Sequence, residues 1–503
     1  MIDKYLLCFC LGAASCFAFA PYHMGAILIP LFSGLLYILY QTKNIKTAFL
    51  LGWTFGFGYF LTGLYWVGFA FKTVGLGYLM PIPIIGLPLL LGLFPALACA
   101  LTVFYQRTPV SQVLLFSAFW SLFEWTRGHI LTGFPWNLVG YACPLPILQT
   151  TAFIGIYGLS LITIFCACVL ASRSKPLIVG AFAVLSVLWI AGSCRLEHAK
   201  SLGNTEINMR LIQPCIPQGE KFTPAYLARN LDLHVALSQL TSEKPLHAVI
   251  WPEASVPFLF NQDSAAIEKI THAVPQNGIL LIGATHHLPG EMRSGLFALD
   301  DHGDILKWYD KFHLVPFGEY IPLKKVFLFK KLTAGTFDYT PGKGVKTMVV
   351  DGLPAFSPLI CYEAIFPGYV IQYDVRLTQS NPEWILNITN DAWYGRTNGP
   401  YQHLSIVRVR AIEEGLPLVR VANNGISAVI DAYGNILYHL DLDKIGFIDF
   451  TLPRHLITRT IYGQWKEIPF GILLIGFLSI GYFLGHRRSN DTKNQNKEST
   501  VPY

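Results

Sequence analysis

The sequence predicts an α-helical membrane bundle of about eight spans joined to an extracytoplasmic α/β domain, built as a mixed sheet or a two-sheet sandwich covered by helices. Three observations carry that expectation. Hydrophobic residues make up 52% of the 503 and charged residues only 14%, too apolar for an ordinary soluble protein and long enough for two domains. The apolar residues are unevenly placed: long runs with few charges extend from Tyr5 to Ala191, the composition is that of a soluble domain from about Asn208 to Leu452, and Ile468 to Leu484 is apolar again. Within the polar stretch, short β-rich runs recur between helix-length segments.

A spanning helix needs about 20 apolar residues. Candidate runs before the polar domain are Tyr5 to Ala20, Gly25 to Tyr40, Thr47 to Phe71, Leu79 to Tyr105, Val113 to Trp125, Leu148 to Leu170 and Leu177 to Ser193; Ile468 to Leu484 follows it. The first and fifth are short, and the Pro-rich fourth is expected to kink, because proline removes an intrahelical donor. The resulting organisation is a membrane domain over 1–200, an extracytoplasmic domain over 205–455, a C-terminal span over 465–486 and a disordered polar tail over 487–503.

Lys and Arg retained on the cytoplasmic side set the orientation. Lys4, Lys43 with Lys46, Arg107, Arg173 with Lys175, and Arg487 with Arg488 fall on one side when every span crosses, and Lys72 and Arg127 are the strong bases of the opposite short loops. Both chain ends then lie in the cytoplasm and the polar domain outside it. The first run has features of a signal peptide, with AASC ending at Cys16, but a further apolar span follows at once and the upstream positive charge is Lys4 alone. It reads as a retained helix. The net charge of +6 is mild and comes from the loops and tail, so no nucleic-acid partner is expected.

Of the ten Cys residues, Cys8, Cys10, Cys16, Cys99, Cys143, Cys166, Cys168 and Cys194 lie in or beside the spans and read as small apolar side chains. Cys215 and Cys361 fall in the extracytoplasmic domain. No CxxC, His/Cys metal spacing or HExxH occurs, so neither a metal nor another cofactor is expected. In an oxidising compartment two thiols can join, so a working Cys361 has to be kept apart from Cys215.

The expected strands are MRLIQPCI near 209, HAVIWPE near 247, GILLIGATH near 278, GLFALDD near 295, AFSPLICYE near 355, WILNITND near 384 and LVRVANNGISAVID near 418. Asp301 to Asp304 with Gly303, and Ala432 to Asn435 with Gly434, read as hairpin turns.

Three residues stand at strand ends, where chemistry can use them. Glu253 follows AVIW and is held by Pro252, so a rigid strand positions its carboxylate; most such residues are caps or surface charges. Cys361 ends PLI before Tyr362 and Glu363, a strand-to-turn junction of the kind that presents a nucleophile; a lone cysteine there is more commonly core. Lys311 lies among Tyr309, Phe312 and His313, whose rings can desolvate and aim an ammonium, although a lysine often snorkels over aromatics with no further role. The combination points to chemistry. A carboxylate base, a cationic electrophile and a thiol are the parts needed to move an acyl group through a thioester, and the apolar flanks point to a lipid as its source.

WPEA, YDKFHLVPFGEY, ICYEA and NITNDAWYG, in that order over Trp251 to Gly395, resemble the motif set of the nitrilase, or carbon-nitrogen hydrolase, superfamily. With a multi-span N-terminal region containing LTGFPWNLVGYA (Leu131 to Ala142) and a C-terminal span, the chain resembles the bacterial apolipoprotein N-acyltransferase family along nearly its whole length. The resemblance implies a nitrilase-like αββα sandwich. It also implies Cys361 as nucleophile, Glu253 as its general base and Lys311 as the group that stabilises the tetrahedral oxyanion. Glu319 in PFGEY and Glu363 in CYE match supporting acidic positions, with Tyr362 beside them. One departure is visible: after IPQGEK the family usually has Trp and this chain has Phe222, which keeps an aromatic surface for lipid and loses an indole N–H.

The resemblance further implies transfer of an acyl chain from a phospholipid, with phosphatidylethanolamine as donor, to the N-terminal diacylglyceryl-cysteine of a lipoprotein. The enzyme would be a multi-pass monomer of the bacterial inner membrane with its catalytic domain in the periplasm. Because both substrates are anchored in a bilayer, the site has to open toward it. Ile321 to Thr340 is the expected gate, with Phe327 and Phe329 reaching acyl chains between Lys324/Lys325 and Lys330/Lys331; the plainer alternative is a packed loop with solvated lysines. Two rival functions use the same parts differently. A membrane-tethered amidase would need only an anchor, for which about eight spans are excessive, and a lipid-binding protein would have no chemical need for the three residues.

Overall fold

The computed structural model describes residues 2–105, 108–256, 264–322, 338–373 and 381–498. The chain divides into two compact units: Met1–Val67 with Pro81–Leu196 and Ile461–Tyr503, and Gly68–Met80 with Glu197–Thr460.

In the first unit the apolar runs fold as α1 (Ile2–Ala14), α2 (Leu28–Tyr40), α3 (Ile45–Leu64), α4 (Pro81–Leu91), α5 (Leu93–Tyr105), α6 (Pro109–His129), α7 (Thr151–Cys168) and α8 (Lys175–Glu197), with a C-terminal helix Ile468–Glu498. Among the described residues, five stretches are long and apolar enough to cross a membrane: Ile45–Thr73, Gly77–Tyr105, Thr151–Ser172, Lys175–Leu202 and Ile468–His486. Gly25–Tyr40 is a shorter apolar stretch. The Pro-rich fourth run is broken as expected, into α4 and α5, with Pro88 inside α4.

One expectation needs correction. Arg127, read as a loop base, lies inside α6 and is buried. A buried guanidinium needs acceptors, and its Nη1 donates to the main-chain oxygens of Phe134 and Trp136 at 2.6 and 2.7 Å. Glu124, one turn earlier, accepts from Trp120 Nε1 at 3.1 Å and from the Val139 N–H at 3.0 Å. The two charges therefore satisfy the non-helical backbone of the Leu131 to Ala142 motif, which apolar surroundings would otherwise leave without partners. The C-terminal helix is drawn to Glu498. Arg107 lies outside the described residues.

The second unit contains β1 (Asn204–Gln213), β2 (Ala248–Ile250), β3 (Ile279–Leu288), β4 (Glu291–Leu299), β5 (Ile305–Asp310), β6 (Phe356–Ile360), β7 (Trp384–Thr389), β8 (Leu418–Ala422), β9 (Ser427–Ile430), β10 (Ile436–Leu440) and β11 (Gly446–Pro453). They form a six-stranded sheet in the order β11-β1-β2-β3-β4-β5 and a five-stranded sheet in the order β10-β9-β8-β7-β6. The side-chain period of two sorts each strand between layers. Met209, Leu211, Leu281, Leu386, Val419 and Val421 meet between the sheets. Their neighbours face outward: Ile212, Leu280 and Ile282 pack under α9 (Leu227–Gln239) and α10 (Ser264–Thr271), and Ile385 and Leu418 under α11 (Gly399–Glu414). The result is the αββα sandwich.

Both expected hairpins are present, joining β4 to β5 and β9 to β10. The sequence reading missed β11, which closes the larger sheet against β1 with Arg210 opposite Asp449 and an ion pair of 2.6 Å between them. Gly68–Met80 also belongs to this unit. Its short helix Phe69–Thr73 sets the Phe69 ring against Gly395, where a Cβ would lie 2.8 Å from the ring.

Candidate active site

The candidate residues gather at the ends of strands. Past β2, the Trp251 N–H donates to the Leu281 oxygen and the Ser255 N–H to the Gly283 oxygen, both at 2.8 Å, which lays the Glu253 turn along β3. Gly283 permits this approach, since a Cβ there would sit 2.5 Å from the Pro252 oxygen. Lys311 follows β5, fixed by its N–H to Ser294 O at 2.9 Å and by its own carbonyl, which accepts from Gly342 N at 2.8 Å. Cys361 follows β6 and opens a 3-10 turn over Cys361–Ile365. Its φ of +53° is a left-handed conformation that surrounding structure must hold, and such a bend lifts a side chain clear of the sheet.

The ammonium of Lys311 is only 1% exposed and lies 2.8 Å from Glu319 Oε1 and 3.3 Å from Glu253 Oε1. Glu319 is itself aimed by the Val315 N–H, 2.7 Å from its Oε2. Burial alone would favour the neutral amine, but Glu319, then Glu253 and Cys361, outweigh it and hold the ammonium well above the ordinary lysine range. Lys311 is therefore a fixed cation.

Glu363 does a different job from Glu319. Its Oε1 accepts from Phe312 N at 2.7 Å, His313 N at 3.2 Å and Tyr309 Oη at 2.9 Å, and its Oε2 accepts from Ile360 N at 2.7 Å. One buried carboxylate thus ties the Lys311 loop to the Cys361 turn. Burial pushes its carboxyl up to about 7 against the pull of those donors. Tyr362 packs edge-on against Phe366 and His313, at centroid distances of 5.1 and 5.7 Å. Phe222 is 41% exposed, one residue beyond a buried lysine, Lys221. Phe327 and Phe329, with the expected gate between 323 and 337, lie outside the described residues.

Behind Cys361 is a buried polar network that sequence reasoning did not assign. Asp391 accepts from Thr389 Oγ1 at 3.2 Å and from Arg420 at 2.6 Å, and lies 3.0 Å from His403 Nδ1; Arg420 also reaches Asn387 Oδ1 at 2.5 Å. Asn387 Nδ2 donates to the oxygens of Leu359 and Cys361, at 3.2 and 3.5 Å, and the Thr389 hydroxyl bonds the Cys361 thiol. Burial would raise the Asp391 carboxyl, but Arg420 and His403 hold it below the usual range. NITNDAWYG marks Asp391, but no spacing links it to His403 on α11 or Arg420 on β8.

Burial first, and then the Glu253 and Asp391 charges, push the Cys361 thiol up to about 12 against the pull of Lys311. Cys361 therefore rests as a thiol, and any attack by its sulfur requires that the proton leave. Iodoacetamide should therefore alkylate Cys361 at pH 7 about 10³-fold more slowly than an exposed cysteine, with no plateau below pH 10, read by mass spectrometry of its peptide. A plateau near pH 8 would instead reveal a preformed thiolate.

The apolipoprotein N-acyltransferase N-terminal domain matches residues 11–169 and the carbon-nitrogen hydrolase domain residues 210–462. The apolipoprotein N-acyltransferase of Rickettsia typhi is 38% identical over 500 residues, 96% of this chain and 99% of that protein. The chain belongs to the apolipoprotein N-acyltransferase family. The family's Rhodopseudomonas palustris protein is 35% identical over 92% of each chain. Among solved structures, the amidase of Nesterenkonia AN1, from the nitrilase superfamily, aligns with a TM-score of 0.39 and 20% identity over 53% of this chain and 97% of its own. The second unit of this family member has the nitrilase-superfamily α/β fold, preceded by a helical region with several apolar helices.

Proposed function

We propose that this enzyme moves a fatty acyl chain from a membrane phospholipid, through a thioester on Cys361, to the α-amino group of an N-terminal S-diacylglyceryl-cysteine. The reading rests on one observation above the others: a buried ammonium bridged by two carboxylates beside a strained cysteine, in a chain whose near-full-length relatives are named apolipoprotein N-acyltransferases. In the first step the thiol proton passes to Glu253 as Cys361 Sγ attacks the ester carbonyl, and Lys311 stabilises the resulting oxyanion. Collapse breaks the ester C–O bond, and the leaving oxygen takes the proton from Glu253 to give a lysophospholipid. In the second step the acceptor amine attacks the thioester and gives a proton to Glu253; collapse breaks the C–S bond, and the proton returns to the sulfur. Glu319 keeps Lys311 charged throughout, and Glu363 keeps the two loops in register. The donor is phosphatidylethanolamine and the protein acts as a monomer. The catalytic unit is periplasmic and both termini cytoplasmic, a reading supported by Lys4, Lys43, Lys46, Arg173 and Lys175 on one set of loops.

The test is intact-mass spectrometry of the purified protein after incubation with phosphatidylethanolamine, beside Cys361→Ser. A gain of one acyl mass that neutral hydroxylamine removes, absent in the variant, is the expected result. A folded protein that never gains that mass with several phospholipids would move a membrane-tethered amidase ahead.

A further inference from the structure

Lys221 is a buried cation that the two steps above do not use. It ends the short helix Gln218–Lys221, is 2% exposed, and its Nζ donates to the main-chain oxygen of Glu253 at 2.7 Å. An ammonium carries three donors, and burying one against a neutral carbonyl is unfavourable unless a negative charge nearby compensates it. Lys311 has two carboxylates in direct contact, whereas among the described residues none lies within ion-pair distance of Lys221. The negative charges that act on it are those of Glu253 and Cys361.

The site's charge balance gives this placement a meaning. Glu253 and Glu319 share Lys311, which leaves one negative charge in excess, and the tetrahedral step keeps that excess while moving it, since the Cys361 proton neutralises Glu253 as the charge forms on the substrate oxygen. We propose that Lys221 is a positioning residue of this reaction: its ammonium fixes the main chain that carries Glu253 and supplies the second buried positive charge at the base end of the site. The inference rests on the reading of Glu253 and Cys361 given under the proposed function.

Burial draws the Lys221 ammonium down to about 8, against Glu253 and Cys361, so its charge disappears just above neutral pH. From α9 it faces His234, which burial lowers to about 4 and keeps neutral there. Cys361 also faces Lys311 and Asp391.

The test is the rate of iodoacetamide alkylation at Cys361 in the full-length protein in detergent, from pH 6 to 10, for the wild type, Lys221→Gln and Lys221→Arg. Gln keeps a donor for the Glu253 oxygen without the charge, and Arg keeps the charge without titrating. At pH 7 K221Q should react about tenfold more slowly than the wild type while K221R stays near it, one pH unit of thiol acidity being a tenfold change in thiolate. Across pH 8 the wild-type rate should climb less than tenfold per unit and approach K221Q, and K221R should keep the full slope. Equal rates for K221Q and K221R at pH 7 would reduce Lys221 to a structural hydrogen bond and overturn the proposal. If K221Q does not fold, the slope of the wild type against K221R decides alone. Alkylation needs no lipid, so a wild type that is not acylated by phosphatidylethanolamine would count against the proposed function without touching this result.

Discussion

Lys311→Met should lower the single-turnover rate of acyl-enzyme formation by about 10³-fold or more. Removing one oxyanion donor from a preorganised site costs about 10²–10³ in rate, and here the loss does not stop at the oxyanion. Glu253 and Glu319 would be left together in a buried site without their shared cation, so one of them would take up a proton, and a protonated Glu253 cannot accept the proton of Cys361. Breaking a buried ion pair from one side should also cost about 3–5 kcal/mol of stability at neutral pH. Lys311→Arg keeps the charge but replaces a point cation with a planar fork, and should recover stability better than rate. Intact-mass time courses beside thermal melts measure both quantities. A Met variant within tenfold of the wild-type rate would remove Lys311 from the chemistry.

Glu363→Ala should have the largest effect on stability. It deletes the acceptor of the Phe312, His313 and Ile360 N–H groups and of the Tyr309 hydroxyl, and each buried donor left without a partner costs about 1–3 kcal/mol. The variant should lose most of the stability of its catalytic unit, with Cys361 no longer held in its turn. Glu363→Gln, similar in shape, isolates the charge. The folded carboxyl sits at about 7, above its ordinary value, so the native state holds this proton more tightly than the unfolded chain does. Its stabilising contribution is therefore fully present below about pH 4.5 and is lost as pH rises through 7, about 3 kcal/mol in all. Wild-type melting temperatures compared at pH 5 and pH 8 should show that loss, and Glu363→Gln should lack it; parallel pH profiles for the two proteins would refute the assignment.

Local pattern made most of this architecture legible. Seven of the strand regions were marked by β-rich runs, and the two hairpins by Gly303 and Gly434, because turn chemistry and alternation act within a few residues. Glu253, Lys311 and Cys361 were legible because each sits at a strand end inside a motif. What remained hidden depends on pairing across the chain. β11 has its meaning only against β1, more than two hundred residues away, where Asp449 meets Arg210. Lys221 carries no mark in the sequence beyond its place after Glu220, and only the packed fold places its ammonium on the Glu253 carbonyl. Arg127 was misread for a similar reason: a charge next to a short apolar run looks like a loop residue until the carbonyls of Phe134 and Trp136 come into view.

Gly68–Met80 takes in the end of one hydrophobic run, a short connection and the start of the next, yet it folds with the catalytic unit and places Phe69 against Gly395, the residue that follows the Asp391–Tyr394 turn. The catalytic unit is consequently not a module that can be excised, swapped or inherited as one continuous stretch of gene. A fragment beginning at Glu197 would lack a part made long before it on the ribosome. An epitope tag or insertion placed between those two hydrophobic runs would likewise act on the enzyme and not merely on its anchor.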